Sequence, residues 1–298
     1  MKYILTAILL FNVAFGQSLF GVVAGDGFDI DARRYLDSAG VTNQTHRNAL
    51  NTFVKGMKST GLWSKFLAIY PMMGSTSNSM RWNLKDPRNL DAAYRLSFVG
   101  SDWSFDATLG AVPNKSTGGS YANTFIPSNV YGDITSMHLS YASSENLNNL
   151  TNYVFEVGAR PNFSDNINEL SLVVKLPNVA AVSPNQNLSV GGIGGGVFAL
   201  STWNAVSDTR GLFVTTRTST TSLKFFQNAN LISSNTGTET NTTGSTRTIY
   251  LAALNAGGTT LHTSNRACIF ASVGLGLSDS EVSTYNTLFQ AFKTAIGR

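Results

Sequence analysis

The sequence predicts a mainly-β chain: a two-sheet antiparallel jelly-roll sandwich with an N-terminal helical pair and a C-terminal capping helix. Three observations carry this reading. Short apolar or alternating runs recur from Phe66 to Val273, separated by turns rich in Gly, Asn and Ser. Charge is scarce, at 13% of residues against ~25% in typical soluble domains, so 28 Asn and 27 Gly, with Ser and Thr, supply the polar surface. A capping box leading into a single apolar stripe closes the chain.

Residues 1–16 read as a signal peptide. Lys2 supplies the positive start, Ile4 to Phe11 the apolar core, and Ala14-Phe15-Gly16 the small residues of a cleavage site, so a mature chain begins at Gln17. The alternative is an uncleaved N-terminal strand or anchor. The apolar run is shorter than the ~20 residues of a bilayer-crossing helix, so no transmembrane span is expected.

Residues 17–64 form a helical appendage. A short helix is expected near Asp31 to Ser38. Thr42 then stands as N-cap of a longer one, whose apolar positions Ala49, Leu50, Phe53, Val54 and Met57 recur at helical spacing. Gly61 stands where a glycine ends such a helix. Two helices this short make no core of their own, so Phe53, Met57, Leu62 and Trp63 are expected to pack on the β domain.

Residues 65–298 carry the sandwich. Strands are expected at Phe66–Pro71, Met80–Leu84, Tyr94–Val99, Tyr121–Ile126, Ile134–Ala142, Tyr153–Ala159, Leu170–Leu176, Val197–Thr202, Leu212–Arg217, Leu223–Gln227, Thr248–Leu254 and Ala267–Val273. Within one of them Thr135, Met137, Leu139 and Tyr141 alternate with Ser136, His138 and Ser140, the pattern of a half-buried strand. Gly191 to Gly196 lacks the Lys-Ser/Thr of a phosphate cradle and reads as a loop or tight connection. Thr236 to Thr246 reads as an exposed hairpin loop. The lone Cys268 rules out an intrachain disulfide and reads as a buried small hydrophobe.

The closing helix, 278–296, has the clearest local signal. Ser278 and Glu281 form a capping box, and Leu277 with Val282 forms a hydrophobic staple. Val282, Tyr285, Phe289, Phe292 and Ile296 line one face, which must lie on a sheet.

The strand Cys268 to Val273, followed by Gly274-Leu275-Gly276-Leu277 and Ser278-Asp279-Ser280-Glu281, resembles the closing segment of laminin-G-like, concanavalin A-like domains, where a last strand runs into an LSDxE helix turn. The pair Leu212–Arg217 and Leu223–Ser233 resembles their penultimate hairpin. That hairpin commonly turns at Asn-Gly, whereas Asn228-Ala229-Asn230 stands here and leaves the turn type open. The segment from Tyr70-Pro71 through Asn83-Leu84-Lys85-Asp86-Pro87 to Asp91-Ala92-Ala93-Tyr94-Arg95-Leu96 is similar to a group of mostly uncharacterised proteins of bacteriophages and Bacteroidota, in which it opens such a sandwich. The resemblance implies a fold and a setting on a virion or cell surface. It implies no reaction.

A glycoside hydrolase on this fold needs two carboxylates ~5 Å apart, commonly on alternate residues of one strand. Only five Glu are present, at 145, 156, 169, 239 and 281, and no expected strand carries such a pair; Asp165 and Glu169 flank an Asn-rich turn. His46, His138 and His262 are too scattered for a zinc site. No cofactor is expected. Calcium, which laminin-G-like domains often hold, has its nearest approach to a site at Asp102 and Asp106, flanking Trp103. No Gly-x-Ser-x-Gly elbow is present. The net charge of +4, without a Lys/Arg run, argues against nucleic acid.

A glycan-binding module needs an exposed aromatic platform with amide and carboxylate partners. The candidates are Trp103 with Asp102, and Trp203 with Asn204 and Asp208; Trp63 and Trp82 read as packing residues. The expected function is therefore a non-catalytic surface module, secreted or at the cell surface, that binds a glycan or a partner protein. The first alternative is a bacteriophage virion structural protein, a head or tail appendage engaged in homo-oligomer or virion assembly. The second is the glycoside hydrolase.

Overall fold

The computed structural model describes residues 27–113, 119–147, 154–162, 167–175, 188–195, 202–238 and 243–298. The expected signal peptide lies outside the described residues, as do most of Val197–Thr202 and the middle of the Thr236–Thr246 loop.

Helix α1 (Ile30–Ala39) starts where the Asp29 carboxylate accepts from the Asp31 amide at 2.9 Å. Helix α2 (Gln44–Ser59) is capped by Asn43, whose side chain accepts from His46 N at 3.1 Å. The expected cap, Thr42, lies one residue outside, because the helix begins at Gln44. Gly61, with φ +77°, takes the left-handed position past the helix end.

After β1 (Phe66–Tyr70), the expected strand Met80–Leu84 is instead the end of a one-turn helix, α3 (Ser77–Met80), and a turn. Its alternating Met80, Trp82 and Leu84 do face inward. Asn83 replaces a strand ladder with its side chain: Oδ1 accepts from Ile69 N at 3.1 Å, and Nδ2 donates to Ala93 O at 3.0 Å. Leu84 N donates to Ile69 O at 2.8 Å, so this segment covers the open edge of β1.

The strands that follow are β2 (Ser97–Val99), β3 (Trp103–Asp106), β4 (Gly110–Pro113), β5 (Tyr121–Pro127), β6 (Met137–Ser143), β7 (Val157–Arg160), β8 (Ile167–Val173) and β9 (Leu188–Gly195). Then come β10 (Thr202–Ala205), β11 (Gly211–Ser219), β12 (Ser222–Gln227), β13 (Asn230–Asn235), β14 (Thr248–Leu251), β15 (Leu254–Ala256), β16 (Thr259–Leu261), β17 (Phe270–Gly274) and helix α4 (Asp279–Ala295). Among the described residues, one sheet has six strands in the order β1-β17-β6-β11-β12-β13. The other runs β10-β9-β8-β7-β14-β5-β2 with β15 and β16 attached, and β3-β4 is a separate hairpin.

Gly191 to Gly195 belong to β9, paired with β8, rather than to a loop. With Ile193 as the one side chain among four glycines, these positions show no alternation that would mark a strand. The β12–β13 turn has Asn228 at φ +49° and Ala229 at φ +64°, the positive pair of a type I′ turn. Alanine thus occupies a position glycine ordinarily takes.

The two sheets pack face to face as a β-sandwich. Leu139, Tyr141, Phe213, Phe225 and Ala271 of the six-stranded sheet meet Val157, Leu170, Leu172, Ile249 and Leu251 of the other. The outer face of the six-stranded sheet is covered by helices. Phe66, Ile69, Leu212, Val214 and Phe270 share a second core with Leu50, Phe53, Met57 and Leu62 and with the α4 stripe Val282, Tyr285, Phe289 and Phe292. Phe53 meets Phe270 edge-on at 5.7 Å between centroids. The Ser278–Glu281 capping box is formed as expected.

This helical layer changes β6. Its polar alternation does not face water, because all seven residues are buried. His138 Nδ1 lies 2.7 Å from Leu275 O and Nε2 lies 3.1 Å from Ser272 Oγ. Ser272, Ser140 and Tyr285 of α4 close a hydroxyl cluster with separations of 2.6 to 3.1 Å. The polar residues satisfy one another beneath α4.

Candidate aromatic site at the edge of the sandwich

Trp103 and Phe105 alternate along β3, so both rings project from one face of the hairpin. The hairpin sits against the sandwich because Ala111 and Cys268 exchange amide hydrogen bonds of 3.0 and 2.8 Å. Gly110 makes this approach possible: its φ is +81°, and a Cβ there would stand 2.1 Å from the Cys268 carbonyl oxygen. The Asp106 carboxylate shapes the turn by accepting from Thr108 N at 2.7 Å and Leu109 N at 2.8 Å. The Leu109 and Thr108 amides hold its carboxyl below the usual carboxylate range.

Phe98 of β2 completes the cluster. Its ring meets Trp103 edge-on at 5.0 Å and Phe105 at 4.9 Å, while Trp103 lies nearly parallel to Phe105, 17° apart at 6.1 Å. The Trp103 indole N–H donates to Val99 O at 2.9 Å. The polar end of the ring is therefore satisfied on the edge strand and its plane is fixed. All three rings are half-buried, and Val99 and Leu109 beside them are each 37% exposed. Asp102 and exposed Ser101 precede Trp103 in the chain, whereas Ser104, between the two rings on β3, projects from the opposite face. Such an arrangement offers a rigid apolar ring edge with hydroxyl and carboxylate groups around it.

The other expected residues do not join this site. Trp203 and Asn204 lie on β10, paired in register with Val190 and Ser189, at the opposite edge of the nine-stranded sheet from β2. The placement of their side chains lies outside what is described. The Asp208 carboxylate is engaged by the Arg210 guanidinium at 2.8 Å and by the Arg210 amide at 2.9 Å, and the Arg210 hydrogen bonds hold its carboxyl low. Asp208 therefore stabilises its own turn. Phe98 and Phe105 were missed from the sequence, although the Trp103-Ser104-Phe105 alternation was a visible signal.

Carboxylates and histidines elsewhere serve the fold. Glu156 is fully buried; its Oε1 accepts from Arg266 Nε at 3.2 Å and Ser264 Oγ at 3.0 Å, and its Oε2 from Val174 N at 2.7 Å. Burial raises its carboxyl pKa, with Arg266 opposing. Glu145 accepts from Ala267 N, Glu169 lies 3.7 Å from Arg160, and Glu281 caps α4 and pairs with Lys65. Burial pushes the Cys268 thiol up to about 12. Among the described residues no three His, Cys, Asp or Glu gather as a metal site. Asp102 accepts from the Ser101 hydroxyl, and Asp106 is engaged by turn amides. No described helix is long and apolar enough to cross a membrane.

No family model matches the chain, and no curated protein matches it. Among solved structures, domain 4 of AbnA, a GH43 extracellular arabinanase from Geobacillus stearothermophilus, is similar with a TM-score of 0.47 and 14% identity, over 74% of this chain and 98% of that one. A Trypanosoma rangeli sialidase mutant gives 0.45 and 9%, over 82% of this chain and 39% of the sialidase. The CBM40 of a Ruminococcus gnavus sialidase gives 0.28 and 13%, over 50% of this chain and 80% of the module. Each is a partial likeness, and none assigns an activity or a ligand here.

Proposed function

We propose that the chain is a non-catalytic surface module, built as a jelly-roll and placed outside the cell, whose Trp103 edge contacts a glycan. The observation that carries this is the fixed indole of Trp103, tied to Val99 O and backed by Phe98 and Phe105, with part of its surface open. A ring immobilised before contact loses little freedom on binding. The apolar C–H face of a sugar ring stacks on such a surface, and Ser101 and Asp102, next to Trp103 in the chain, supply a hydroxyl and a carboxylate for sugar hydroxyls. The same surface would suit an apolar side chain of a partner protein, the reading to which a failed glycan search would turn.

The distribution of carboxylates supports a non-catalytic role. Glu145, Glu156, Glu169 and Glu281 are each engaged by protein groups, and Glu239 lies outside the described residues. A raised carboxyl pKa is what a general acid needs, but both oxygens of Glu156 are occupied and buried.

Glycan-array binding by the full chain tests the proposal. Saturable binding to a defined glycan class, reduced in Trp103→Ala, is the expected result. Binding to no glycan, or polysaccharide cleavage by the protein, would contradict it.

A further inference from the structure

Helix α1 and the loop 85–88 face each other across a groove of about 700 Å³, built from elements other than those that carry the Trp103 cluster. Ser38 Oγ donates to Pro87 O at 3.1 Å and pins the two walls together. The carboxylates of the groove already have cations. Asp31 lies 2.6 Å from Lys58 Nζ, Asp86 holds Arg88 through Nε at 2.7 Å and Nη2 at 2.5 Å, and Asp37 lies 3.4 Å from Arg47.

Two cations lining the groove are differently placed. Among the described residues, no carboxylate lies within ion-pair distance of Arg34 or Lys85. Lys85 stands over the Trp63 ring, 3.8 Å from its centroid, and donates one of its three protons to Trp63 O at 2.6 Å. Burial, helped by nearby Lys58 and opposed by Asp31, pushes its pKa down to about 8. Arg34 is exposed; the Asp86 carboxyl is held low chiefly by its bonds to Arg88, and the Arg34 charge adds to this last.

We propose that this groove binds an oxyanion of carboxylate or phosphate size, held between the Arg34 guanidinium and the Lys85 ammonium with Arg88 beside them. The chemistry is complementary on both sides. A guanidinium presents a planar fork that matches two oxygens of such a group. Lys85 retains donors beyond the one used on Trp63 O, and an anion brought beside it in the groove would offset the cost of holding that ammonium partly out of water. The volume admits a small molecule larger than the anion itself, so a sugar acid and a phosphate ester both fit. The site does not depend on the Trp103 reading.

The test titrates the full chain with glucuronate and, separately, with inorganic phosphate, following Lys85 Nζ by NMR. The Lys85 titration midpoint is expected to rise from about 8 toward its ordinary 10.5. Affinity is expected to fall as pH rises through that midpoint, because the anion prefers the protonated amine; each unit of rise corresponds to about ten-fold preference. Arg34→Ala, an exposed change that leaves the fold intact, and Lys85→Met should each weaken binding about ten-fold or more, while Trp103→Ala should not change it. Saturation by glucuronate alone identifies a sugar-acid carboxylate, by phosphate alone a phosphate ester, and by both a general oxyanion site. A Lys85 midpoint that neither anion moves, or binding equally strong in Arg34→Ala, would overturn the proposal.

Discussion

Acid should loosen the seam between α4 and the sandwich, and His138 sets the pH. Leu275 O only accepts, so Nδ1 of His138 carries the proton and Nε2 accepts from Ser272. The ring is fully buried against Phe66 at 4.6 Å, and burial lowers its pKa from 6.5 to about 4, with Lys65 adding to the fall and the Leu275 bond and Glu281 opposing it. In the unfolded chain the imidazole protonates near 6.5, while in the fold it stays neutral down to about 4. This contribution is therefore fully present above pH 6.5 and is lost as pH falls toward 4. A shift of about 2.5 units corresponds to about 3 kcal/mol at the acid limit, of which about 2 kcal/mol is lost by pH 5. Urea unfolding at a series of pH values measures it. His138→Leu lowers stability at neutral pH by leaving Leu275 O without its side-chain donor and by removing one of the three partners of Ser272 Oγ, but its stability should change by about 2 kcal/mol less between pH 7 and pH 5 than that of the unsubstituted protein. Equal pH dependence in both proteins, or a His138 titration midpoint near 6.5 by NMR, would refute the reasoning.

Two further outcomes follow from buried and capping groups. Glu156→Gln leaves Arg266 charged and buried without its counter-ion, so unfolding free energy should drop by about 3–5 kcal/mol by denaturant titration; a loss within about 0.5 kcal/mol would show that the pair is dispensable. Ser278→Ala removes the acceptor for Glu281 N and should cost about 1 kcal/mol, read as faster amide exchange in the first turn of α4; unchanged exchange would count against the cap.

How much was legible depends on whether a feature is local. The closing helix announced itself because cap, staple and stripe all lie within Leu277 to Ile296, where spacing alone decides the contacts. The β3–β4 hairpin did not, since its strands have four residues each and its docking depends on Cys268, more than 150 residues away. Met80 to Leu84 mimicked a strand because its apolar positions alternate, while Asn83 supplied the hydrogen bonds by a side chain that no periodicity reveals. Helical cover over His138 and Ser140 is likewise a tertiary fact: the same alternation marks a strand facing water and one facing a polar seam. At the candidate site, Trp103 could be chosen as an aromatic beside a turn, but the separation from Trp203 required the strand order. The groove between Arg34 and Lys85 joins residues about 50 positions apart and could not be read from either segment.

The most direct test of the central claim is the affinity of the glycan identified on the array for the full chain and for Trp103→Ala, read by titration calorimetry alongside tryptophan fluorescence. Loss of one anchored aromatic contact should weaken binding by about ten-fold or more, with a fluorescence change on glycan addition that the variant lacks and with the variant's unfolding still cooperative. An affinity unchanged in a folded Trp103→Ala protein would contradict the placement of the binding surface at this edge.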